Sequence, residues 1–302
     1  RGPIMDYQNS ELVAFMLQSI KTYARSKRAV FAKFDPSLFL RKGLIGQEVK
    51  DQETTLAIIQ SLKDCGVEWV GRTEDMGETI QPRFQANIYK EYFTEDQLSK
   101  STKQAIRTAR NKGVEVIFGG TELLDEFAAL MKKTEARKGI HLRGKDYYEK
   151  LLTTYAGQSY ITLSRINLAQ RLASLKEQLK KNQAEASRFN EKTKPGKIDN
   201  NRQEKERLEE EIQFLNQELK DGQEIVSLSG TLTLEFGGTS ENVYAGMDEN
   251  FRRYQPAILT WYETAQHAFD RGADWQNMGG VENHLDGGLY HFKSKFNPMI
   301  EE

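Results

Sequence analysis

An α+β fold is predicted, made of two successive helix-and-strand units with an antiparallel helical hairpin set into the second. Three observations carry this. Helical periodicity of 3.6 alternates with short period-2 runs, the same cycle occurs twice, and a heptad pattern interrupts the second cycle between residues 168 and 219. No repeat is visible in the letters themselves, so the duplication is one of architecture.

The elements follow in order. Residues 11–25, "ELVAFMLQSIKTYAR", place Leu12, Phe15, Met16, Ile20 and Tyr23 on one helical face. "RAVFAKFDP" alternates Val30, Ala32 and Phe34 and reads as a strand that stops at Pro36. "DQETTLAIIQSLKDCG" is an amphipathic helix ended by Gly66. "VEWVGR" and "RFQANIYK" read as strands. The second cycle begins with the basic helix "STKQAIRTARNKG", followed by the strand "VEVIFGG" and a helix from Thr121 to Gly139. "DYYEKLLTTYAG" is a further helix and "SYITLSRI" a strand. After the interruption, "EIVSLSGTLTLEFGG" and "ENVYAGM" form a hairpin, then "QPAILTWYETAQHAFDRG" a helix and "ADWQNMGG" a strand.

In the interruption Leu168, Leu172, Leu175, Leu179, Asn182, Ala186 and Phe189 step by four and three, and Lys205, Leu208, Ile212, Leu215 and Leu219 do the same. Two such segments joined at "TKPGKIDNN" make an antiparallel coiled-coil hairpin. The expected domains are 1–90, then 91–165 with 223–302, with the arm at 166–222.

Composition narrows the function. With 38% hydrophobic and 29% charged residues and a net charge of −1, nucleic-acid contact requires a local patch, not a global field. The single cysteine, Cys65, excludes an internal disulfide and fits a reducing cytosol. No run approaches the roughly 18 apolar residues of a membrane span. The first residues, Arg1-Gly2-Pro3, lack an initiator methionine, and the chain is expected to begin inside a longer protein.

Several chemistries find no motif. His141, His267, His284 and His291 lack zinc spacing, and no P-loop, dinucleotide fingerprint or nucleophile elbow occurs. A coenzyme A pyrophosphate turn would need Q/R-x-x-G-x-G/A, and the nearest segment, "QNMGGV", fails at Val281. Two basic patches remain. Lys100, Lys103, Arg107, Arg110 and Lys112 occur with no acid between them, and residues 176–207 hold ten basic and six acidic residues. The second patch includes Lys180, Lys181, Arg188, Lys192, Lys194 and Lys197. Either patch reads as a solvated face or as a phosphate-binding surface. Asp35 ends a strand before a rigid proline, where it is either a general base or turn chemistry. Arg143 and Tyr147, four apart, are an anion-and-ring pair or an ordinary loop. Tyr244 lies beside Ala-Gly, where a ligand has room to approach. Residues 277–296, "NMGGVENHLDGGLYHFKSKF", hold two glycine pairs, which suggest close approach of a ligand or another strand to bare backbone.

"RGPIMDY", "KFDP", "RKGIHLRGKDYY", "VYAGM" and "GGLYHFKSKF", in this order with a heptad insertion between the third and fourth, resemble the Fem-type aminoacyltransferases of peptidoglycan interpeptide bridges. The resemblance spans essentially the whole chain. It implies two domains like the acyl-CoA N-acyltransferases (GNAT-like), the first lacking N-terminal strands here, and a further strand after "NPMIEE". It implies transfer of Ala, Ser or Gly from aminoacyl-tRNA to the stem-peptide lysine or growing bridge of a peptidoglycan precursor, with no cofactor and no metal. By position, Asp35 matches the acid acting on the acceptor amine. Arg143, Tyr147 and Tyr244 match precursor-site residues, the arginine near the phosphates. Phe292 and Lys293 match the pair beside the terminal adenosine and the reacting ester. Val30 stands where some relatives carry a tyrosine. The helical arm resembles that of types using membrane-anchored lipid II, which implies work at the cytosolic face of the plasma membrane, alongside homologous bridge-forming enzymes. It also makes Lys100, Lys103, Arg107, Arg110 and the six basic residues of the arm candidates for tRNA contact. Two other readings stay open: an N-acyltransferase using acyl-CoA, and a non-enzymatic scaffold whose hairpin recruits a partner.

Overall fold

The computed structural model describes residues 2–44, 49–73, 75–76, 78, 81–282 and 284–302. Arg1 of the first motif and Asn283 of the glycine-rich stretch lie outside the described residues. The fold is α+β, with helices flanking strands. In chain order the elements are α1 (Ser10–Ser26), β1 (Lys42–Leu44), α2 (Glu53–Asp64), β2 (Phe84–Tyr89), α3 (Lys100–Asn111), β3 (Val114–Gly119), α4 (Leu124–Lys138) and α5 (Lys145–Thr154). There follow β4 (Ser159–Asn167), α6 (Leu168–Ala186), α7 (Pro195–Glu218), β5 (Ile225–Phe236), β6 (Thr239–Met247), α8 (Pro256–Asp270), β7 (Trp275–Val281), α9 (Gly288–Lys293) and β8 (Met299–Glu301).

The chain divides into two compact units, Arg1–Ser99 with Ala273–Glu302, and Lys100–Gly272. The last segment joins the first unit because β8 pairs with β1 and β2, and β7 pairs with β2, all antiparallel. This differs from the expected division, in which 223–302 belongs wholly to the second domain. In the first unit Val13 and Leu17 of α1 pack with Leu62 of α2 and with Tyr7 from the segment before α1, and Phe34 and Leu38 lie against them.

Two expected strands do not form among the described residues. Residues 28–36 make a single bridge, Gly2 to Asp35, and 67–72 make none. Alternation alone does not make a strand, because the backbone donors need a partner. Here Phe34 packs inward while Val30 and Phe31 are exposed, and Asp35 is exposed and not in a buried strand.

In the second unit the order is β6-β5-β4-β3, again antiparallel. The two sides of these strands differ in chemistry. Ile161, Leu163 and Leu232 face α4 and α5, packing with Phe127, Leu130, Met131, Tyr148 and Leu152. Successive side chains alternate, so Thr162, Ser164, Ser229, Thr231 and Thr233 share the other side, all buried. The Thr231 and Thr264 hydroxyls, 3.1 Å apart, tie that side to α8. Gly230 and Gly246 are register partners beneath α4. A Cβ on Gly230 would fall 2.6 Å from Leu163 Cδ2 and 3.0 Å from the Thr162 carbonyl oxygen, and one on Gly246 would fall 3.0 Å from Met131 Sδ. The glycine of "VYAGM" therefore makes room for a helix of the same unit. Gly237 and Gly238, at φ of 55° and 77°, form the two-residue turn between β5 and β6.

α6 and α7 run antiparallel: Asn182 and Asn201 exchange side-chain-to-backbone hydrogen bonds, and Arg171 meets Glu211. The connection is shorter and earlier than expected, since Pro195 and Gly196 open α7 and do not form its turn. Proline suits the first helical position, where its missing N–H is no loss. Near the hairpin's base lies an ionic cluster. Arg171 donates twice to Glu211 Oε1, at 2.9 and 2.7 Å, and both side chains are over nine-tenths buried. Arg207 and Lys112 approach the other oxygen at 3.3 and 3.8 Å. Lys112 also donates to the Arg253 carbonyl and lies over the Tyr254 ring. It is thus committed inside the unit and leaves the basic face of α3. Burial lowers its pKa, outweighing the pull of Glu211.

Burial by itself would raise the Glu211 pKa, but hydrogen bonds from Arg171 and the nearby positive charges outweigh it and hold the carboxyl below its usual range. A carboxylate depressed in the folded state stabilises above the unfolded pKa of about 4.3 and loses that contribution as pH falls through the folded value. Glu211→Ala, which strands a buried guanidinium, is expected to cost about 3–5 kcal/mol in urea unfolding at pH 7, and less at pH 3. Gly230→Ala is expected to cost about 1–3 kcal/mol in the same measurement, because the new methyl meets backbone.

Candidate functional site

Each unit assembles its own group of candidate side chains. In the second unit the assembly begins at the end of α4. Gly139, at φ 62°, ends the helix, and its N–H donates to the Glu135 carbonyl. The Glu135 carboxylate then accepts from the Leu142 N–H at 3.1 Å and pairs with His141 Nδ1 at 2.7 Å. Residues 139–142 are therefore tied back onto α4, immediately before Arg143. α5 follows, with Tyr147 in its first turns.

The third member comes from β6. Leu232 opposes Tyr244 and Thr233 opposes Asn242, so Val243 is an extra residue and the strand bulges there. Without a bulge, Val243 and Tyr244 would point to opposite sides. With it, both pack against the α4/α5 core. Tyr244 thereby meets Tyr148 edge-on at 5.0 Å and Tyr147 at 6.3 Å, while the Arg143 guanidinium lies 5.3 Å from the Tyr147 ring centre. Burial raises the Tyr244 pKa, with the Tyr147 charge adding to it and hydrogen bonding from Arg143 opposing it. Three residues chosen from sequence, about a hundred positions apart, so form one cluster, a guanidinium against the Tyr147 ring and hydrogen-bonded to Tyr244, with Arg143 and Tyr147 exposed. Such a cluster presents a planar cation for phosphate or carboxylate and flat faces for a sugar or peptide.

In the first unit the second group is built around β7. Gln85 opposes Gly280 and Asn87 opposes Asn277, so Ala86 stands opposite both Met278 and Gly279. Gly279 takes φ 83°, a bulge conformation that glycine adopts without strain. Beyond β7, the Glu282 carboxylate accepts from the N–H groups of Leu289 and Tyr290, at 3.0 and 2.9 Å, capping α9. Burial works against ionisation of Glu282, but these backbone donors hold its pKa below the usual value. α9 then delivers Phe292, edge-on to the buried Phe296 at 5.6 Å, and Lys293. Lys293 is 5% exposed, and its ammonium donates to the Gly280 carbonyl at 2.7 Å.

The glycine pairs thus receive a specific explanation, different from an outside ligand. A Cβ on Gly280 would strike Pro82 at 2.5 Å, one on Gly287 would strike Glu282 at 2.4 Å, and one on Gly279 would lie 3.4 Å from Lys293 Nζ. The close neighbours are side chains of the same unit. Asp35 lies elsewhere in this unit's sequence: it is exposed, its carbonyl accepts from the Gly2 N–H at 2.7 Å, and its charge helps raise the Tyr7 pKa, second to burial.

The basic candidates are placed as follows. Lys100, Arg107 and Arg110 are exposed on α3 and Lys103 is half-buried; Arg110 pairs with Glu263 at 2.7 Å. Lys180, Lys181, Arg188, Lys192, Lys194 and Lys197 are exposed around the α6–α7 connection, with Lys197 paired to Glu185 at 2.9 Å. "QNMGGV" belongs to β7, an extended strand and not a loop opening a helix, so it does not build a pyrophosphate cradle.

Sequence inspection did not single out Glu135, Glu282 or Asn277, which hold the candidate side chains in place. Glu135 reads as a surface acid on a helix, and only its distance of seven residues to Leu142 hints at a loop clamp.

The whole chain, residues 1–302, matches the FemAB family, and the protein belongs to that family. It is 26% identical over 326 residues to the lipid II:glycine glycyltransferase of Staphylococcus aureus (strain USA300), covering 100% of this chain and 74% of that protein. It is 28% identical over 319 residues to the aminoacyltransferase FemB of Staphylococcus epidermidis (strain RP62A), covering 100% of this chain and 76% of that one. Its fold is similar to the crystal structure of FemX, with a TM-score of 0.70 and 24% identity, over 100% of this chain and 77% of that one.

Replacing Glu282 by alanine is expected to remove the cap from α9. A lost cap costs about 1 kcal/mol, so hydrogen exchange at the Leu289 and Tyr290 amides should quicken roughly fivefold at neutral pH. A matching loss of protection, taken relative to the intrinsic exchange rate at each pH, should appear in the unaltered protein as pH falls through the depressed Glu282 pKa.

Proposed function

We propose that the protein transfers an amino acid, Ala, Ser or Gly, from aminoacyl-tRNA to the stem-peptide lysine amine or the growing bridge of lipid II. The observation that carries this is the convergence of Arg143, Tyr147 and Tyr244, built by a loop clamp on one side and a strand bulge on the other. Membership of a family whose relatives include a lipid II:glycine glycyltransferase supplies the acceptor class.

In this reading Arg143 holds the precursor's phosphates and the tyrosines pack against its neighbouring sugar or peptide. The acceptor amine gives its proton to Asp35, directly or by relay, and its nitrogen attacks the ester carbonyl carbon. The carbonyl oxygen gains negative charge, which the Lys293 ammonium stabilises; a cation shielded from water is worth more there than in solvent. The C–O bond to the terminal ribose then breaks, the new amide remains on the precursor, and the ribose hydroxyl leaves carrying the proton. Phe292 stacks on the unpaired terminal adenine. The ester arrives activated, so the residues named suffice without a cofactor.

The basic residues of α3 and of the hairpin connection serve the tRNA's phosphates, Lys100, Lys103, Arg107 and Arg110 on one and Lys180, Lys181, Arg188, Lys192, Lys194 and Lys197 on the other. The acceptor, being lipid-linked, is met at the cytosolic face of the membrane. That contact is peripheral in this proposal; among the described residues no helix is long and apolar enough to cross a bilayer.

The test is transfer of labelled amino acids from a charged tRNA pool to lipid II in vesicles. Transfer is expected with the unaltered protein. Arg143→Ala is expected to raise the KM for lipid II by about tenfold or more with a smaller change in kcat, since a charge-assisted hydrogen bond is worth about 1.5–3 kcal/mol. Lys293→Ala is expected to lower kcat by about a hundredfold, as loss of an oxyanion partner does. No transfer, or transfer unaltered by both substitutions, would overturn the assignment.

A further inference from the structure

A lysine that stabilises a transient charge must be held still, and a flexible four-carbon stem does not do this alone. The bulge in β7 supplies what the stem lacks. At Gly279 the strand carries one residue more than β2 opposite it, and the φ of 83° turns the backbone so that the Gly280 carbonyl receives the Lys293 ammonium at 2.7 Å. The backbone angle is what calls for glycine at 279; a Cβ there would stand in ordinary contact with Lys293 Nζ, at 3.4 Å.

A bulge of this kind leaves a backbone N–H without a ladder partner. The Gly279 N–H donates instead to Asn277 Oδ1 at 2.6 Å. Asn277 is itself fixed, since its amide nitrogen donates to Gln85 Oε1 at 2.9 Å on the neighbouring strand. Asn277 and Gln85 are 8% and 5% exposed, so neither amide has bulk water as a substitute partner. A chain of contacts thus runs from Gln85 through Asn277 and Gly279 to the carbonyl that holds Lys293. Neither Asn277 nor Gln85 bonds to Lys293 itself by this chain; they act through the backbone.

We infer that Asn277 is a positioning residue for the Lys293 ammonium, acting by locking the β7 bulge at Gly279, with Gln85 fixing the Asn277 amide. The inference rests on the proposed role of Lys293 in transfer. Its geometry, however, is testable without that role, through the reactivity of the Lys293 amine.

The experiment compares Asn277→Ala, Asn277→Asp and Gly279→Ala with the unaltered chain, each checked for native circular dichroism. Two readouts are taken. One is the rate at which an amine-reactive acylating reagent labels Lys293, read by peptide mass spectrometry. The other is kcat and KM for transfer from a charged tRNA pool to lipid II. Asn277→Ala and Gly279→Ala are expected to speed Lys293 labelling about fivefold or more. They are also expected to lower kcat by about 10- to 100-fold with KM changed less than threefold, the scale of a small misplacement near the reacting atoms. Asn277→Asp keeps an oxygen to accept the Gly279 N–H, and the Gln85 amide can turn to donate to it, so this variant should return both readouts to within about threefold of normal. Should Asn277→Ala not fold, Gly279→Ala and Asn277→Asp decide the matter by the same two readouts. Unchanged labelling and unchanged kcat in Asn277→Ala or Gly279→Ala, with Lys293→Ala inactive, would overturn the positioning role alone. Full transfer by Lys293→Ala would instead overturn the reading on which it rests, whatever the labelling shows.

Discussion

A strand that carries one residue more than its neighbour cannot keep its side chains alternating. That constraint shapes a candidate group of side chains in each compact unit. In β6 the extra Val243 lets Tyr244 join the α4/α5 core beside it, and so reach Tyr147 and Arg143. In β7 the extra Gly279 turns a carbonyl toward Lys293. Remove the β6 bulge and Val243 and Tyr244 fall on opposite sides of the strand; remove the β7 bulge and the Gly280 carbonyl loses its orientation toward Lys293. The helices and loops contribute what the bulges cannot: Glu135 ties the Arg143 loop to α4, and Glu282 caps the short helix that bears Phe292 and Lys293.

The scaffold around these devices is made rigid in three different ways. On one side of the second unit's strands, paired glycines let α4 sit close over an apolar core. On the other, hydroxyl-bearing side chains meet α8 through bonds such as Thr231 with Thr264. At the base of the helical pair, Arg171 and Glu211 are buried together and satisfied by neighbours. Buried ion pairs contribute little net stability but are costly to break. The cluster therefore fixes where α6 and α7 leave the sheet more than it adds to folding energy.

Much of the fold was legible because its signals are local. Helical periodicity gave α1 through α6 and α8 within a few residues, glycines with positive φ such as Gly113 and Gly139 marked helix ends, and the Gly237-Gly238 pair gave a hairpin. The misreadings share one cause, which is dependence on distant partners. Val30, Ala32 and Phe34 alternate like a strand, yet only Asp35 finds a bridge. The "PG" at Pro195 reads as a turn, yet the helix begins there. Among the candidate residues, Arg143, Tyr147 and Tyr244 were chosen from sequence and do meet. The residues that hold them were not visible, because a bulge leaves no letter of its own and Glu135 looks like any surface acid. The glycine pairs at 279–280 and 287–288 were noticed for the right physical reason, close approach. Most of what approaches is the unit's own Pro82, Glu282 and Lys293.

The account turns on the 3′ end of a charged tRNA reaching the segment that α9 presents. The most direct measurement is photocrosslinking of the full chain to aminoacyl-tRNA carrying a photoreactive base at its terminal adenosine, followed by peptide mapping. Crosslinks centred on residues 288–296, weakened by Phe292→Ala and competed by unmodified aminoacyl-tRNA, are the expected result. Crosslinks confined to other segments, or none above those given by an uncharged RNA of unrelated sequence, would contradict it.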